Sequence, residues 1–323
     1  MPNEPHSGPI FIIAAPRSGT TWLVQALNAH PEVFATELRA FGEYVDLVQD
    51  GGAAKARLRI TLDEYVDSLL NPHQWMQLGP SRMAVRDDIL GELYITLRRH
   101  ALERSGKRVF VDKLTPYLGT AERAVELIAR LFPDARVIVL TRDGRDVAVS
   151  GVMHWLNRTI VGHALTDVQR TRRAFLLANA AERPERFFTD GEIEEWAIHW
   201  RQPIDAMKTR GAALDAMDVR YENMSRDAAC ELARICEFLG VDAGSHVVHR
   251  CVAASTFEVM SGGRRRGEDA PGQHVRKGVV GDWRRFFTAA DASVFDRLSG
   301  PCLIECGYEP DRGWTTRVPE RLL

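Results

Sequence analysis

The residues best suited to chemistry stand together near the start of the chain: Arg17, Ser18, Gly19, Thr20 and Thr21, with Trp22 directly after them. A cation, a glycine and three hydroxyls in consecutive positions form a set for holding an anion. An apolar run at residues 10–14 precedes them and an amphipathic run at 23–27 follows, so the spacing predicts strand, tight turn, helix. The first N–H groups of such a helix lack intrahelical partners and sit at the positive end of its dipole, which makes them a ready site for phosphate or sulfate. A second pair, Asp112 and Lys113, follows a short apolar run at residues 108–111. Ligands of open α/β sheets bind outside the carboxyl ends of the strands. Lys113 and Arg17, each at the end of a predicted strand, are therefore able to point into one crevice.

The turn departs from the nucleotide-binding pattern G-x-x-x-x-G-K-[ST]: Gly19 is followed by Thr20, and the basic residue comes two positions before the glycine. Instead P-R-S-G-T-T-W-L, residues 16–23, resembles the 5′-phosphosulfate loop of sulfotransferases that use 3′-phosphoadenosine 5′-phosphosulfate (PAPS). Three further stretches resemble that family, in its order. Residues 136–150, R-V-I-V-L-T-R-D-G-R-D-V-A-V-S, are similar to its 3′-phosphate strand and helix, with Arg142 and Ser150 eight residues apart. Residues 219–240, opening V-R-Y-E-N-M, look like the segment whose tyrosine, here Tyr221, flanks the adenine. Residues 276–283, R-K-G-V-V-G-D-W, are similar to the C-terminal signature that closes over the 3′-phosphate. The resemblance runs from residue 10 to about residue 300 and implies an α/β, P-loop-like sulfotransferase fold.

Sulfuryl transfer needs a held donor, an in-line acceptor and positive charge on the oxygen that becomes the leaving anion. Cations and backbone amides suffice for that charge, so no metal is expected. On the resemblance, Lys113 and Arg17 supply it. Arg17, Ser18, Gly19, Thr20, Thr21 and Trp22 bind the donor, together with Arg142, Ser150, Tyr221, Arg276, Lys277 and Gly278. Arg142 is suited to a paired hydrogen bond with the 3′-phosphate, and Trp22 and Tyr221 offer faces to adenine, core packing being their alternative. The general base is open among three residues. Cytosolic small-molecule members of the family carry a histidine two residues after the lysine, where this chain has Thr115. Other members look to an acidic residue beside the lysine or in the loop after the first helix, positions that Asp112 and Glu37 match. Asp112 is equally a structural partner for Lys113 or Arg17, and His154 is the third alternative.

These residues need elements to position them. Alternating strands and helices imply a central, largely parallel sheet with helices on both faces, in one domain over residues 1–323. Residues 28–44 read as a loop, 51–52 as a linker, 62–70 and 87–104 as helical, 108–111, 136–140 and 219–221 as strands, and 165–211 as helical with a charged break. The insertions at 30–105 and 155–210 are expected to build the acceptor pocket. Residues 261–283 are expected to form a nucleotide lid, glycine-rich at first, in which Arg276 and Lys277 await a 3′-phosphate as unpaired cations.

Composition sets the outer limits. With 323 residues, 45% hydrophobic and 27% charged, the chain buries a sizeable core. A formal charge of −2 argues against a general nucleic-acid binder. The five cysteines show no paired zinc spacing. No signal-peptide pattern opens the sequence and no run approaches about 18 apolar residues, so a cytoplasmic protein without an integral membrane segment is expected. The expected reaction partner is a hydroxyl- or amine-bearing acceptor; a homodimer stays open, but residues 284–289 match the family's dimer segment only in part, which argues against a dimer through them. Two rival readings stand beside the transferase: a P-loop nucleotide kinase, and a module that binds adenosine bisphosphate without catalysis.

Overall fold

The computed structural model describes residues 8–38, 41, 76–77, 82–157, 172, 186–270 and 273–322. In chain order the elements are β1 (Ile10–Ile13), α1 (Thr20–Asn28), β2 (Val33–Thr36), α2 (Arg82–Ser105), β3 (Val109–Leu114), α3 (Ala121–Leu131), β4 (Arg136–Thr141), α4 (Gly144–Asn157), α5 (Asp190–Thr209) and β5 (Asp215–Arg220). They continue with α6 (Tyr221–Arg226), α7 (Ala228–Leu239), α8 (Ser245–Ala254), α9 (Phe257–Ser261) and α10 (Ala289–Glu305), with 3-10 turns at Asp282–Arg285 and Arg312–Arg317.

The five strands form one sheet in the order β2-β3-β1-β4-β5, and every pairing is parallel. Strand side chains alternate between faces, and β1 shows what each face meets. Ile10 and Ile12 pack with Leu23 and Leu27 of α1 and with Leu232 and Ile235 of α7. Phe11 and Ile13 enter the opposite core with Tyr94 of α2 and Val125 and Ile128 of α3. Both faces are covered, which explains why β1 and β4 read as unbroken apolar runs. A third core joins α4, α5 and α10 through Val147, Val152, Ile193, Trp200 and Phe295.

Three boundaries differ from the sequence reading, and each has a local cause. Residues 28–44 contain an edge strand, β2. The Asn28 side chain bonds both backbone groups of Ala35, Nδ2 to the carbonyl at 2.6 Å and Oδ1 from the N–H at 2.9 Å, and so fixes the strand against α1. Strand β3 runs on to Leu114, placing Asp112 and Lys113 inside it. Tyr221 opens α6 rather than ending β5. The linker at 51–52, the helix at 62–70 and most of the insertion before residue 186 fall outside the described residues.

Candidate active site

The turn between β1 and α1 carries two left-handed residues. Gly19 has φ +96°, and a Cβ there would lie 2.5 Å from Cδ2 of Tyr221, so backbone and ring together require glycine. Arg17 has φ +72°, a conformation rare for a side-chain-bearing residue and of the kind that concentrates at ligand sites. The start of α1 has no side-chain cap and no acidic residue in its first turn, leaving its positive end for a ligand. Ser18 is fully buried, and its Oγ has no hydrogen-bond partner among the described residues. All three guanidinium nitrogens of Arg17 are engaged: Nε donates to Ser150 Oγ (3.1 Å), Nη1 meets His274 Nδ1 (3.1 Å), and Nη2 donates to the His274 carbonyl (2.8 Å).

Arg142 leaves the end of β4 and lies across the base of the turn. Its Nη1 donates to the carbonyl of Arg17 (3.2 Å) and its Nη2 to that of Val279 (3.3 Å), while the guanidinium sits 4.5 Å from the centre of the Tyr221 ring. Trp22 meets Tyr221 edge to face at 5.6 Å, and Arg266 covers Trp22 at 5.7 Å. These cations crowd one another. Burial first, then the fields of Arg142 and Arg276, pull the Arg17 guanidinium down to about 10. An anion entering there relieves both penalties.

Adjacent residues on β3 part company. Lys113 faces the crevice, where its Nζ lies 2.6 Å from Glu37. Asp112 enters the opposite face, buried with the core of Phe110, Leu114 and Tyr94, and accepts the Leu38 N–H at 2.9 Å. Burial pushes its carboxyl up to about 7. Asp112 as general base, or as partner of Lys113 or Arg17, does not fit this placement, because consecutive residues inside a strand point to opposite faces.

The C-terminal signature is also wired differently from expectation. Arg276 and Lys277 are not unpaired, because both reach the buried Asp282 of the same motif. Lys277 Nζ lies 2.9 Å from it, and Arg276 binds it as well as Asp269, the latter at 3.0 Å. Gly267 N–H bonds the Lys277 carbonyl (2.9 Å), and Arg264 Nη1 bonds the Arg276 carbonyl (2.7 Å), so the loop before the signature has local anchors. Gly278, at φ +69°, brings its backbone so close to Phe257 that a Cβ would lie 2.5 Å from the ring. Asp146, one turn beyond Arg142, accepts the N–H groups of Gly281 (2.7 Å) and Trp283 (2.8 Å) and pins the signature to α4.

These residues enclose a cavity of about 490 Å³. Arg17, Gly19, Thr20, Thr21, Trp22, Glu37, Lys113, Arg142, Ser150, Tyr221, Arg276, Lys277 and Gly278 all line it; Ser18 lies beneath the turn and Asp112 behind the sheet. Sequence reasoning did not assign Arg266, Phe257, His274, Tyr117, Glu195 or His199 to the site; His154, and Trp155 and Trp196 of the insertion expected to build the acceptor pocket, line the cavity as well. Arg266 had a signal as one of three successive arginines in a glycine-rich loop, and Glu195 and His199 fall inside the insertion expected to build the acceptor pocket. No grouping of three or more His, Cys, Asp or Glu side chains suited to a metal occurs among the described residues. None of the described helices is long and apolar enough to cross a membrane.

Sheet order, an uncapped helix start and a converging set of arginines define an α/β protein of the P-loop-like kind, built to hold an anionic group at the carboxyl edge of its strands. The chain belongs to the sulfotransferase family, whose model matches residues 9–244. It is 28% identical to mouse sulfotransferase 2A6 over 217 residues, 64% of this chain and 70% of that protein. It is also 28% identical to human sulfotransferase 2B1, over 58% of this chain and half of that protein. Among solved structures it shares its fold with mouse sulfotransferase SULT7A1 complexed with PAP, at a TM-score of 0.51 and 18% identity, covering 93% of this chain and 88% of the other. The sulfotransferase domain from the curacin biosynthetic pathway gives the same TM-score at 17% identity, covering 91% and 97%.

Proposed function

We propose that the protein moves a sulfuryl group from PAPS to a hydroxyl or amine acceptor by in-line displacement and releases 3′,5′-adenosine bisphosphate. The observation that carries this reading is the crowding of Arg17, Arg142 and Arg276 in a cavity that also holds the Lys113–Glu37 pair. PAPS supplies a sulfuryl group already attached to a phosphate leaving group. Arg17 and the N–H groups at the start of α1 hold its 5′-phosphosulfate, and the buried Ser18 Oγ, without a partner among the described residues, fits such a cradle. Arg142, Ser150, Arg276, Lys277 and Gly278 receive the 3′-phosphate, and Trp22 and Tyr221 flank the adenine.

Lys113 stabilises the bridging oxygen as the sulfur–oxygen bond to the phosphate breaks and charge collects on that oxygen. Glu37, 2.6 Å from Lys113, accepts the proton that the acceptor loses as its oxygen or nitrogen bonds to sulfur. Asp112 has no part in this step, since it faces the other core. No metal enters the scheme, and the five free thiols fit a cytoplasmic setting. Calorimetric titration separates this function from that of a nucleotide kinase. The bisphosphate is expected to bind more tightly than adenosine monophosphate, with or without EDTA. Preference for ATP with magnesium and indifference to a 3′-phosphate would favour the kinase.

A further inference from the structure

His274 stands two residues before the signature and touches both ends of the turn that the donor must use. Its Nδ1 lies 3.1 Å from Arg17 Nη1 and its Nε2 3.2 Å from Thr21 Oγ1, while its carbonyl accepts Arg17 Nη2 at 2.8 Å. A guanidinium only donates, so Nδ1 is an acceptor and the ring is neutral, with its proton on Nε2 directed at Thr21. The imidazole thus bridges the cation and the hydroxyl that flank the uncapped helix start. The ring lies in the cavity against both groups, so an anion seated on Arg17 Nη1 and Thr21 Oγ1 competes with it for that space.

We propose that His274 is the resident occupant of the 5′-phosphosulfate seat, and that donor binding exchanges the imidazole for the anion. This inference rests on the donor reading above, and it makes His274 a determinant of donor affinity. The groups facing the ring come from five parts of the fold: Arg17 from the turn, Thr21 from α1, Glu37 from the loop after β2, Lys113 from β3 and His154 from α4, the last with ring centres 5.7 Å apart. Burial first, then Arg17 and Lys113, hold the seated imidazole below its ordinary range, against a smaller opposing pull from Glu37. Leaving the seat removes the burial and the direct contact with Arg17, and the entering anion screens the same cations. The displaced ring therefore takes up a proton from solvent at pH values near the ordinary histidine value of about 6.5, and little at pH 8. No bond other than hydrogen bonds is made or broken.

The test is calorimetry of 3′,5′-adenosine bisphosphate binding to the full chain and to His274→Ala, in two buffers of different ionisation enthalpy, at pH 6.5 and pH 8. The ligand's phosphates and the other site residues titrate in both proteins, so their contribution cancels in the difference. Removing a ring that competes for two hydrogen bonds should tighten bisphosphate binding roughly tenfold at pH 8. The parent should take up about half a proton more than the variant at pH 6.5, with the difference vanishing at pH 8. Weaker binding by His274→Ala would overturn the exchange and make the ring a ligand contact. Equal affinity and equal proton uptake would overturn it as an idle contact. No binding by either protein would overturn the donor reading itself, and the exchange with it.

Discussion

The donor end and the transfer end of the proposed site, which meet where Arg17 and Lys113 both face His274, are built from different materials. At the donor end, Arg17, Arg142, Arg266, Arg276 and Lys277 converge on a helix start and two aromatic rings. The carboxylates nearby are turned away from the opening, Asp146 to backbone N–H groups and Asp282 to the signature's own cations. At the transfer end Lys113 pairs with Glu37, and the wall beside them includes Tyr117, His154, Trp155, Glu195, Trp196 and His199. Excess positive charge at the donor end suits the polyanion, whereas one lysine with two glutamates among aromatic rings suits a partner without that charge. The contrast also says what each cation does. Those at the donor end bind in the ground state, whereas Lys113 acts chiefly when charge develops on the leaving oxygen.

Substitutions at the two ends should therefore fail in different ways. Lys113→Ala is expected to cut turnover on the order of 10²-fold or more while changing bisphosphate affinity little, as for loss of one oxyanion donor. Turnover within about threefold of the parent would erase the distinction between the ends. Next in size is Arg142→Ala, which should lose roughly 10- to 100-fold in affinity for the bisphosphate and little for adenosine monophosphate. Equal losses for both nucleotides would make Arg142 a structural residue. Arg276→Ala with Lys277→Ala should lose roughly tenfold, because Asp282 already holds much of their charge in the absence of ligand. An undiminished affinity in that double variant would remove the signature from the donor end.

The smallest effect on turnover is expected from Asp112→Asn, within about threefold of the parent, since the residue lies behind the sheet. Its stability should change instead. A carboxyl raised from 3.8 to about 7 by burial carries no penalty below its ordinary value and a full one above the raised value. The variant's gain in thermal stability over the parent should thus be absent near pH 3.5, grow between pH 4 and 7, and stay constant above. Thermal unfolding across that range measures it. A large loss of turnover would put Asp112 back beside Lys113 in the chemistry.

How much of this was legible beforehand follows from the range of the interactions. The turn at Arg17 to Trp22 and the Arg142–Ser150 spacing are short-range patterns, each within one strand–turn–helix unit, and the sequence carried them. The partition of Asp112 from Lys113 depended on where β3 stops. That end is set by pairing with β1, where Ile12 and Ile13 stand opposite Lys113 and Leu114, while Thr36 of β2 stands opposite Asp112, and β2 itself was hidden in a run of special residues. Asp282 lay within the recognised signature, yet its ion pairs need the chain to fold back on itself, a feature that spacing alone did not give. The contacts of His274 with Arg17 and Thr21 span more than 250 positions and leave no local pattern.

The central claim is sulfuryl transfer, and labelled donor tests it most directly. Incubation with PAPS carrying ³⁵S in the sulfuryl group, in the presence of EDTA and a panel of phenols, alcohols, sugars and amines, should move label to at least one hydroxyl or amine acceptor. Stoichiometric 3′,5′-adenosine bisphosphate should appear alongside, with transfer depressed at least about 100-fold in Lys113→Ala. Tight bisphosphate binding with no transfer to any acceptor and no depletion of PAPS would contradict it and leave a nucleotide-binding module in its place.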